Sequence, residues 1–503
     1  MDISHWISHW ADWQGHKTAV HFEGRDLSYG EMDARVSRLA AMLSGQLGVA
    51  KGDRVAHLGY NSPELLELLF ACARLGAMLV PLNWRLAPPE HAWILQDCDP
   101  RAILAEPDFF EHLNSISDQI PGVTLVAYGE TAGWRSYGDL LTAAGTDAGG
   151  GEMDDPVTIV YTSGTTGRPK GTLLTQEALF YNAVNAIAAH DITQADHGLT
   201  VLPMFHVGGM NIHTTPSIHA GATTTIQARF DPGRTLAAIA ARKPSIFLAV
   251  PAMALALMAH ADWAKTDLSC LRLAGIGSSA VPAVILRGFM DRGVPPTQVY
   301  GLTESAPMAI CLPLGDVETK AGSCGKPVLH TRARIVDDNG AAVATGAAGE
   351  VLLAGRNLFR EYWRNEAGTT EAFSGEWFHT GDIGHQDADG YFYVDERKKD
   401  VVISGGENIY PAELENILAD CPELAESTVI GRPDERWGEI PVACVVRRPG
   451  GDIAAMDILA LFEGRLARFK HPRRVIFLET LPRNAMGKVE KFTLRALLDE
   501  AEG

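Results

Sequence analysis

No Walker A spacing, no CxxC pair and no unbroken apolar run of membrane-spanning length occurs in this 503-residue chain. The first absence removes the P-loop nucleotide-binding class. The second, with seven scattered cysteines (Cys72, Cys98, Cys270, Cys311, Cys324, Cys421, Cys444) outside any Cys/His cluster, argues against a zinc site or a disulfide framework and for reduced thiols used mostly as core filler. The longest apolar segment, 65–82, is broken by Glu67, Arg74 and Gly76, and reads as a buried helix running into a strand. Met1-Asp2-Ile3-Ser4-His5-Trp6 lacks a basic start and an apolar stretch, so no signal peptide is expected and a cytoplasmic enzyme is. Basic residues are also in deficit. The net charge of −19 disfavours nonspecific nucleic-acid binding. Residues 396–503 are close to charge-balanced, which makes them the less repulsive surface for a polyanionic ligand.

What is present is a dense cluster of small residues. Tyr161-Thr162-Ser163-Gly164-Thr165-Thr166-Gly167-Arg168-Pro169-Lys170-Gly171 follows the strand-like Val157-Thr158-Ile159-Val160. Glycines allow close backbone approach, and N–H groups, hydroxyls and an ammonium can then surround an anion. The alternative on composition alone is a bland surface loop.

The length calls for more than one domain. Helical patterns alternate with short β-branched runs over most of the first 400 residues, as in α/β sheets. Ser62-Pro63-Glu64 reads as a helix start, and Leu65, Leu66, Leu69, Cys72 and Ala73 share one helical face. Strands are expected at 77–82 and 245–250, and strand-rich sequence follows from Gly349. The charged stretch 395–400 sets the expected boundary: a domain over 1–395 and a small α+β domain over 396–503.

Further motifs appear in order: Tyr300-Gly301-Leu302-Thr303-Glu304, Thr380-Gly381-Asp382, Arg397-Lys398-Lys399-Asp400, Gly405-Gly406-Glu407-Asn408, and Pro482-Arg483-Asn484-Ala485-Met486-Gly487-Lys488. Together with the first cluster they resemble the adenylate-forming superfamily, which includes acyl-CoA synthetases, peptide-synthetase adenylation domains and luciferases. The resemblance spans nearly the whole chain. It implies a large multi-subdomain α/β N-terminal domain and a small mobile α+β C-terminal lid. The implied reaction joins a carboxylate to AMP with release of pyrophosphate, and then passes the acyl group to CoA.

The resemblance distributes the roles as follows. Thr162, Ser163, Gly164, Thr165, Thr166, Gly167 and Lys170 would hold phosphates. Gly277, Ser278 and Ser279 would border the adenine, Tyr300 and Gly301 would flank it, and Thr303 would reach the α phosphate. Glu304 would bind Mg²⁺, Asp382 and Arg397 the ribose, and Lys488 would be the catalytic lysine of the first step. Lys399 matches the hinge. Gly405, Gly406, Glu407, Trp437, Phe469, His471 and Arg473 are the CoA-facing candidates. Tyr181, Asn185, His206, Gly208, Met210, Val250, Gly275, Gly277, Ala306 and Met308 are the acyl-pocket candidates, with His206 at a gate.

These wall positions bring no obvious second cation. That disfavours a dicarboxylate and favours an apolar medium-chain or aryl monocarboxylic acid in a pocket widened by glycines. Two rivals stand beside a CoA ligase: an aryl or amino-acid adenylation enzyme loading a carrier protein, and a noncatalytic nucleotide sensor on the same fold. The absence of Asp or Glu between Met204 and Gly221 counts against amino-acid activation. The expected partners are the acid, ATP and CoA, with no nucleic acid and no integral membrane association; a homodimer is left open.

Overall fold

The computed structural model of the chain describes every residue outside 146–147, 163–168, 278–280, 405–406, 435–436, 464, 467, 485–486 and 503. It also leaves undescribed the side chains of 396, 397, 399, 403, 407, 408, 469, 501 and 502. The chain divides into two compact units, Met1–Arg332 with Leu353–Phe378, and Ala333–Leu352 with His379–Gly503.

Local chemistry sets the elements of the larger unit. Ser62 caps the helix Pro63–Leu75 by accepting from the Leu65 N–H, Pro63 takes the first turn, and Gly76 closes it at φ 68°. A left-handed C-terminal residue costs glycine nothing. The strand Met78–Pro81 follows directly and is wholly buried. The helix is buried nearly all round, and even Glu67 is enclosed. It stays charge-paired through Arg35 Nε at 2.6 Å.

Two sheets organise this unit. Among the described residues one has nine strands, with a parallel centre formed by Pro296–Tyr300, Leu273–Gly277, Ile246–Ala249, His197–Thr200, Thr223–Ile226 and Thr18–Phe22. The other has eight, with Pro156–Thr162, Met78–Pro81, Arg54–Leu58, Ala102–Ala105 and Thr124–Ala127 in parallel and the hairpin partner Lys170–Thr175 on one flank. Strands such as Ile246–Ala249 and Ala102–Ala105 are buried at every position. Parallel strands covered on both faces read as continuous apolar runs for this reason.

The smaller unit is α+β. One of its sheets runs Glu407–Ile409, Val402–Ser404, Gly438–Arg447 and Leu424–Asp434, with Arg474–Phe477 added in parallel to Gly438–Arg447. Side chains alternate across it. Val429 and Ala443 face a core with Leu414, Leu418 and Phe462, while Ile430 and Val442 face Leu481 and Leu494. All seven cysteines are free thiols, five of them buried. Among the described residues no helix is long and apolar enough to cross a membrane.

Candidate functional site

The small-residue cluster springs from an antiparallel hairpin. Thr162 pairs with Lys170 and Tyr161 with Gly171, and the Thr162 hydroxyl reaches the Lys170 carbonyl at 3.4 Å. The phosphate-loop candidates Ser163, Gly164, Thr165, Thr166 and Gly167 lie outside the described residues, as do Ser278 and Ser279. Lys170 Nζ lies over the Tyr362 ring, 4.9 Å from its centroid. The Tyr362 hydroxyl in turn donates to Glu304 Oε1 at 2.8 Å. One tyrosine therefore links the foot of the phosphate-loop candidate to the metal-ligand candidate.

Glu304 sits in the tight turn Thr303–Ser305, held from the outside by the chain at 357–362. Asn357 Nδ2 donates to the Ser305 and Met308 carbonyls, and the Phe359 N–H donates to the Glu304 carbonyl at 2.7 Å. Thr303 is buried. Glu304 is half-buried, and its carboxylate offers hard oxygen beyond the one contact to Tyr362. A single carboxylate with phosphate oxygens and water is the donor set Mg²⁺ takes, so the residues fit that ion.

Gly301, just before this turn, has no space for a side chain. A Cβ there would stand 1.6 Å from the Pro307 carbonyl oxygen. Gly301→Ala is expected to cost at least about 3 kcal/mol, because the obstacle is backbone. Chemical denaturation of the variant checks this, and a parent-like midpoint would contradict it. At Gly277 a Cβ would meet the Val299 carbonyl oxygen at 2.8 Å, so that glycine serves close strand packing.

The acyl-pocket candidates gather around one irregular helical run. His206 caps it, and its Nδ1 accepts from the Gly208 N–H at 3.2 Å. The ring proton therefore sits on Nε2. Burial pushes its pKa down to about 4, so the imidazole is neutral near pH 7. A π-helical turn, Met210–Thr214, follows. Asn182 ties this run to the 306–308 segment, donating to the Asn211 carbonyl at 2.6 Å and accepting from the Met308 N–H at 2.9 Å. Met210, Val250, Ala306 and Met308 are buried. Asn185 is buried with both ends of its amide engaged, at the His330 N–H (2.8 Å) and the Thr331 hydroxyl (3.3 Å). Tyr181 stacks under Arg356, which also pairs with Glu177. The sequence offered no sign of Arg356, Asn182, Asn357 or Tyr362, since each acts through partners far away in the chain.

Buried histidines extend beyond the gate. Desolvation drives His57 to about 3, His190 to about 4 and His213 well below the usual value. In the unfolded chain each would protonate near the ordinary value of about 6.5. Their stabilisation is thus complete above that pH and drains away as pH falls toward the folded values, where the unfolded chain binds more protons. Each contributes up to about 1.4 kcal/mol per pH unit over that window. Urea midpoints should fall steeply between about pH 6.5 and 5; a flat profile would contradict the neutral assignment.

In the smaller unit, Asp382 is buried and lies opposite Arg397 in the pairing of Trp377–Gln386 with Phe392–Arg397. Its N–H donates to the Thr380 hydroxyl at 3.0 Å, and that hydroxyl donates to the Val351 carbonyl at 2.6 Å. The two ribose candidates therefore share one register. Lys399 lies in the short turn Lys398–Asp400. Beside it, Asp400 is fixed to Arg495 of the last helix at 3.0 Å.

Ser404 pairs with Glu407 and, on its other side, with Gly438. This brings the end of the 402–409 hairpin beside Trp437, over whose ring Arg473 lies at 5.8 Å. Gly405 and Gly406 themselves, and the side chains of Glu407 and Phe469, lie outside the described residues. His471 Nε2 donates to the Leu466 carbonyl at 2.9 Å. Lys488 is exposed on a tight loop. Its N–H donates to Asn484 Oδ1 (3.0 Å), its carbonyl accepts from the Asn484 N–H (2.8 Å), and Gly487 turns at φ 78°.

Family comparison decides what this arrangement is. The model described as AMP-binding enzyme matches residues 7–363, and that described as AMP-binding enzyme C-terminal domain matches 413–488. The chain belongs to the AMP-binding enzyme family. It is an adenylate-forming ligase of the acyl-CoA synthetase type. It is 47% identical over 502 residues to an indoleacetate–CoA ligase of Aromatoleum aromaticum, covering 99% of this chain and 98% of the relative. A feruloyl-CoA synthase of Amycolatopsis is 40% identical, with 95% and 96% covered. The crystal structure of the anthranilate CoA ligase AuaEII with anthranoyl-AMP superposes at a TM-score of 0.92, with 29% identity and 100% and 98% of the two chains covered. As the motifs implied, the family architecture is a large mixed α/β domain followed by a small C-terminal one.

Proposed function

We propose that this AMP-binding enzyme is an ATP-dependent ligase joining an aryl monocarboxylic acid to CoA. The observation that carries the reading is the near-full-length likeness to an indoleacetate–CoA ligase at 47% identity. The buried wall candidates Met210, Val250, Ala306 and Met308, which carry no charge, support it.

In the first half-reaction a carboxylate oxygen attacks the α phosphorus of ATP and pyrophosphate leaves. The loop from Thr162 to Lys170 holds the leaving phosphates, and Thr303 donates to the α phosphate. Mg²⁺ at Glu304, when bound, neutralises phosphate charge. Tyr362 orients that carboxylate through its hydroxyl. Lys488 supplies a cation to the two approaching anions. Tyr300 offers a face to adenine, and Asp382 and Arg397 take the ribose.

In the second half-reaction the thiol attacks the acyl carbon and AMP departs. The part after the 395/396 boundary turns about Lys399 and presents the 405–407 loop, Trp437 and Arg473 to CoA. The His206 Nε2–H, neutral at the gate, donates toward the acyl-adenylate without adding a charge.

Tyr362→Phe is expected to raise the KM for ATP·Mg about ten- to a hundredfold, the worth of one hydrogen bond to a charged group, with thioester formation from supplied acyl-AMP unaltered. An unchanged KM in steady-state assays would remove Tyr362 from the site.

The test of the function is AMP release from ATP and CoA across a panel of acids. Indole-, phenyl- and cinnamate-type acids should lead. Faster turnover of malonate or of long-chain fatty acids would overturn the aryl assignment.

A further inference from the structure

Glu350 is buried in the smaller unit and takes no part in the steps above. It stands on the strand Gly349–Gly355, which neighbours Trp377–Gln386, the strand carrying Thr380-Gly381-Asp382. That motif is not a regular stretch of strand. Gly381 sits in the left-handed region at φ 68°, one residue before the ribose candidate. A left-handed residue turns its N–H away from the line a continuous strand would give it, so the group needs an acceptor from elsewhere. Glu350 Oε1 supplies one, accepting from the Gly381 N–H at 3.1 Å. The direction of this bond is not open, because a backbone N–H can only donate.

The other carboxylate oxygen is held as well. Lys398 Nζ lies 3.4 Å from Glu350 Oε2, and His379 Nδ1 lies 3.3 Å from it. A carboxylate restrained at both oxygens keeps its place. The next residue on the strand completes the support. The Val351 carbonyl accepts from the Thr380 hydroxyl, which in turn accepts from the Asp382 N–H. Two adjacent residues therefore hold all three residues of the motif. The Val351 contact is to backbone and survives any substitution there. The Glu350 contact depends on the side chain, and it fixes the turn immediately before Asp382.

We propose that Glu350 is a positioning residue for nucleotide binding: by holding the Gly381 peptide in its turned conformation, it aims the Asp382 carboxylate at the ribose hydroxyls. This rests on the ribose role proposed for Asp382. Without that acceptor the turn loses the bond that fixes it. Asp382 then meets the hydroxyls out of line, where a hydrogen bond weakens steeply.

The test compares the affinities of the full-length enzyme for ATP and 2′,3′-dideoxy-ATP, each with Mg²⁺, by titration calorimetry, which needs no acid. The two nucleotides share base and phosphates and differ only in the hydroxyls that Asp382 would take. The parent should bind ATP about ten- to a hundredfold more tightly, the worth of hydrogen bonding to a charged group. Glu350→Met fills similar space without an acceptor, and should lower that ratio at least about fivefold while the affinity for dideoxy-ATP stays near the parent's. Glu350→Gln still offers an oxygen to the Gly381 N–H and should keep the ratio within about twofold of the parent's. A merely structural role would weaken both nucleotides together and leave the ratio alone. If Glu350→Met does not fold, Glu350→Asp, whose carboxylate stops a methylene short of Gly381, should lower the ratio at least about threefold. A parent-like ratio in the variant that folds overturns the proposal, and so does an equal fall in Glu350→Gln. Equal binding of the two nucleotides by the parent removes the ribose role of Asp382 and this inference with it; no binding of ATP at all sinks the functional reading.

Discussion

Lys488→Ala is expected to slow acyl-adenylate formation by about a hundred- to a thousandfold, the range for removing one preorganised charge donor from a transition state. Thioester formation from supplied acyl-AMP should stay within about threefold of the parent, since the proposed second step takes its tools from another face. The structure explains why the loss would be local. The loop that carries Lys488 is closed by its own contacts, Asn484 to both the N–H and the carbonyl of Lys488, and Arg483 to the Gly487 carbonyl at 2.5 Å. None of these uses the ammonium group, so truncation leaves these contacts in place. Single-turnover assays of each half-reaction separate the two effects. Equal losses in both would show that Lys488 does not divide the labour in this way.

The second large effect is expected at the joint. Lys399→Pro fixes φ in the short turn Lys398–Asp400. Adenylation should remain near the parent rate while thioester formation falls by about a hundredfold, the loss expected when a reacting group is held out of place. Two neighbours of the proposed pivot are tethered. Asp400 is anchored to Arg495 of the last helix, and Lys398 is held by Asp338 at 3.0 Å and Glu350 at 3.4 Å, the Asp338 contact contributing most to raising its pKa. With tethers on both sides, the proposed pivot would have its change of dihedrals at Lys399. A Lys399→Pro enzyme with an unchanged second half-reaction would move the pivot elsewhere.

Much of the frame was legible in the chain because its signals are local. Ser62 with Pro63 announces a helix by capping chemistry, and the strand-like run 157–160 leads into the small-residue loop as written. The motif residues Glu304, Asp382 and Lys488 stand at a tight turn, a buried strand position and a closed loop. What could not be read acts over long sequence distances. Tyr362 meets Glu304 across 58 positions, Asn357 supports Ser305 across 52, and Asn185 accepts from a backbone N–H 145 positions away. Nothing in the neighbourhood of these residues marks them. Glycine was also ambiguous: composition cannot distinguish a pocket-widening glycine from one such as Gly277, whose missing side chain admits the Val299 carbonyl. Nor could it reveal that Glu350 accepts from the Gly381 N–H, since the two stand 31 positions apart on neighbouring strands.

This protein is expected to make an acyl-adenylate before any thiol is involved. Acid-dependent exchange of labelled pyrophosphate into ATP, measured with Mg²⁺ and without CoA, tests it most directly. Exchange should appear with indole- or cinnamate-type acids and vanish in Lys488→Ala. Absence of exchange with every acid in the panel, from an enzyme that is folded and binds ATP, would contradict adenylation as the first step.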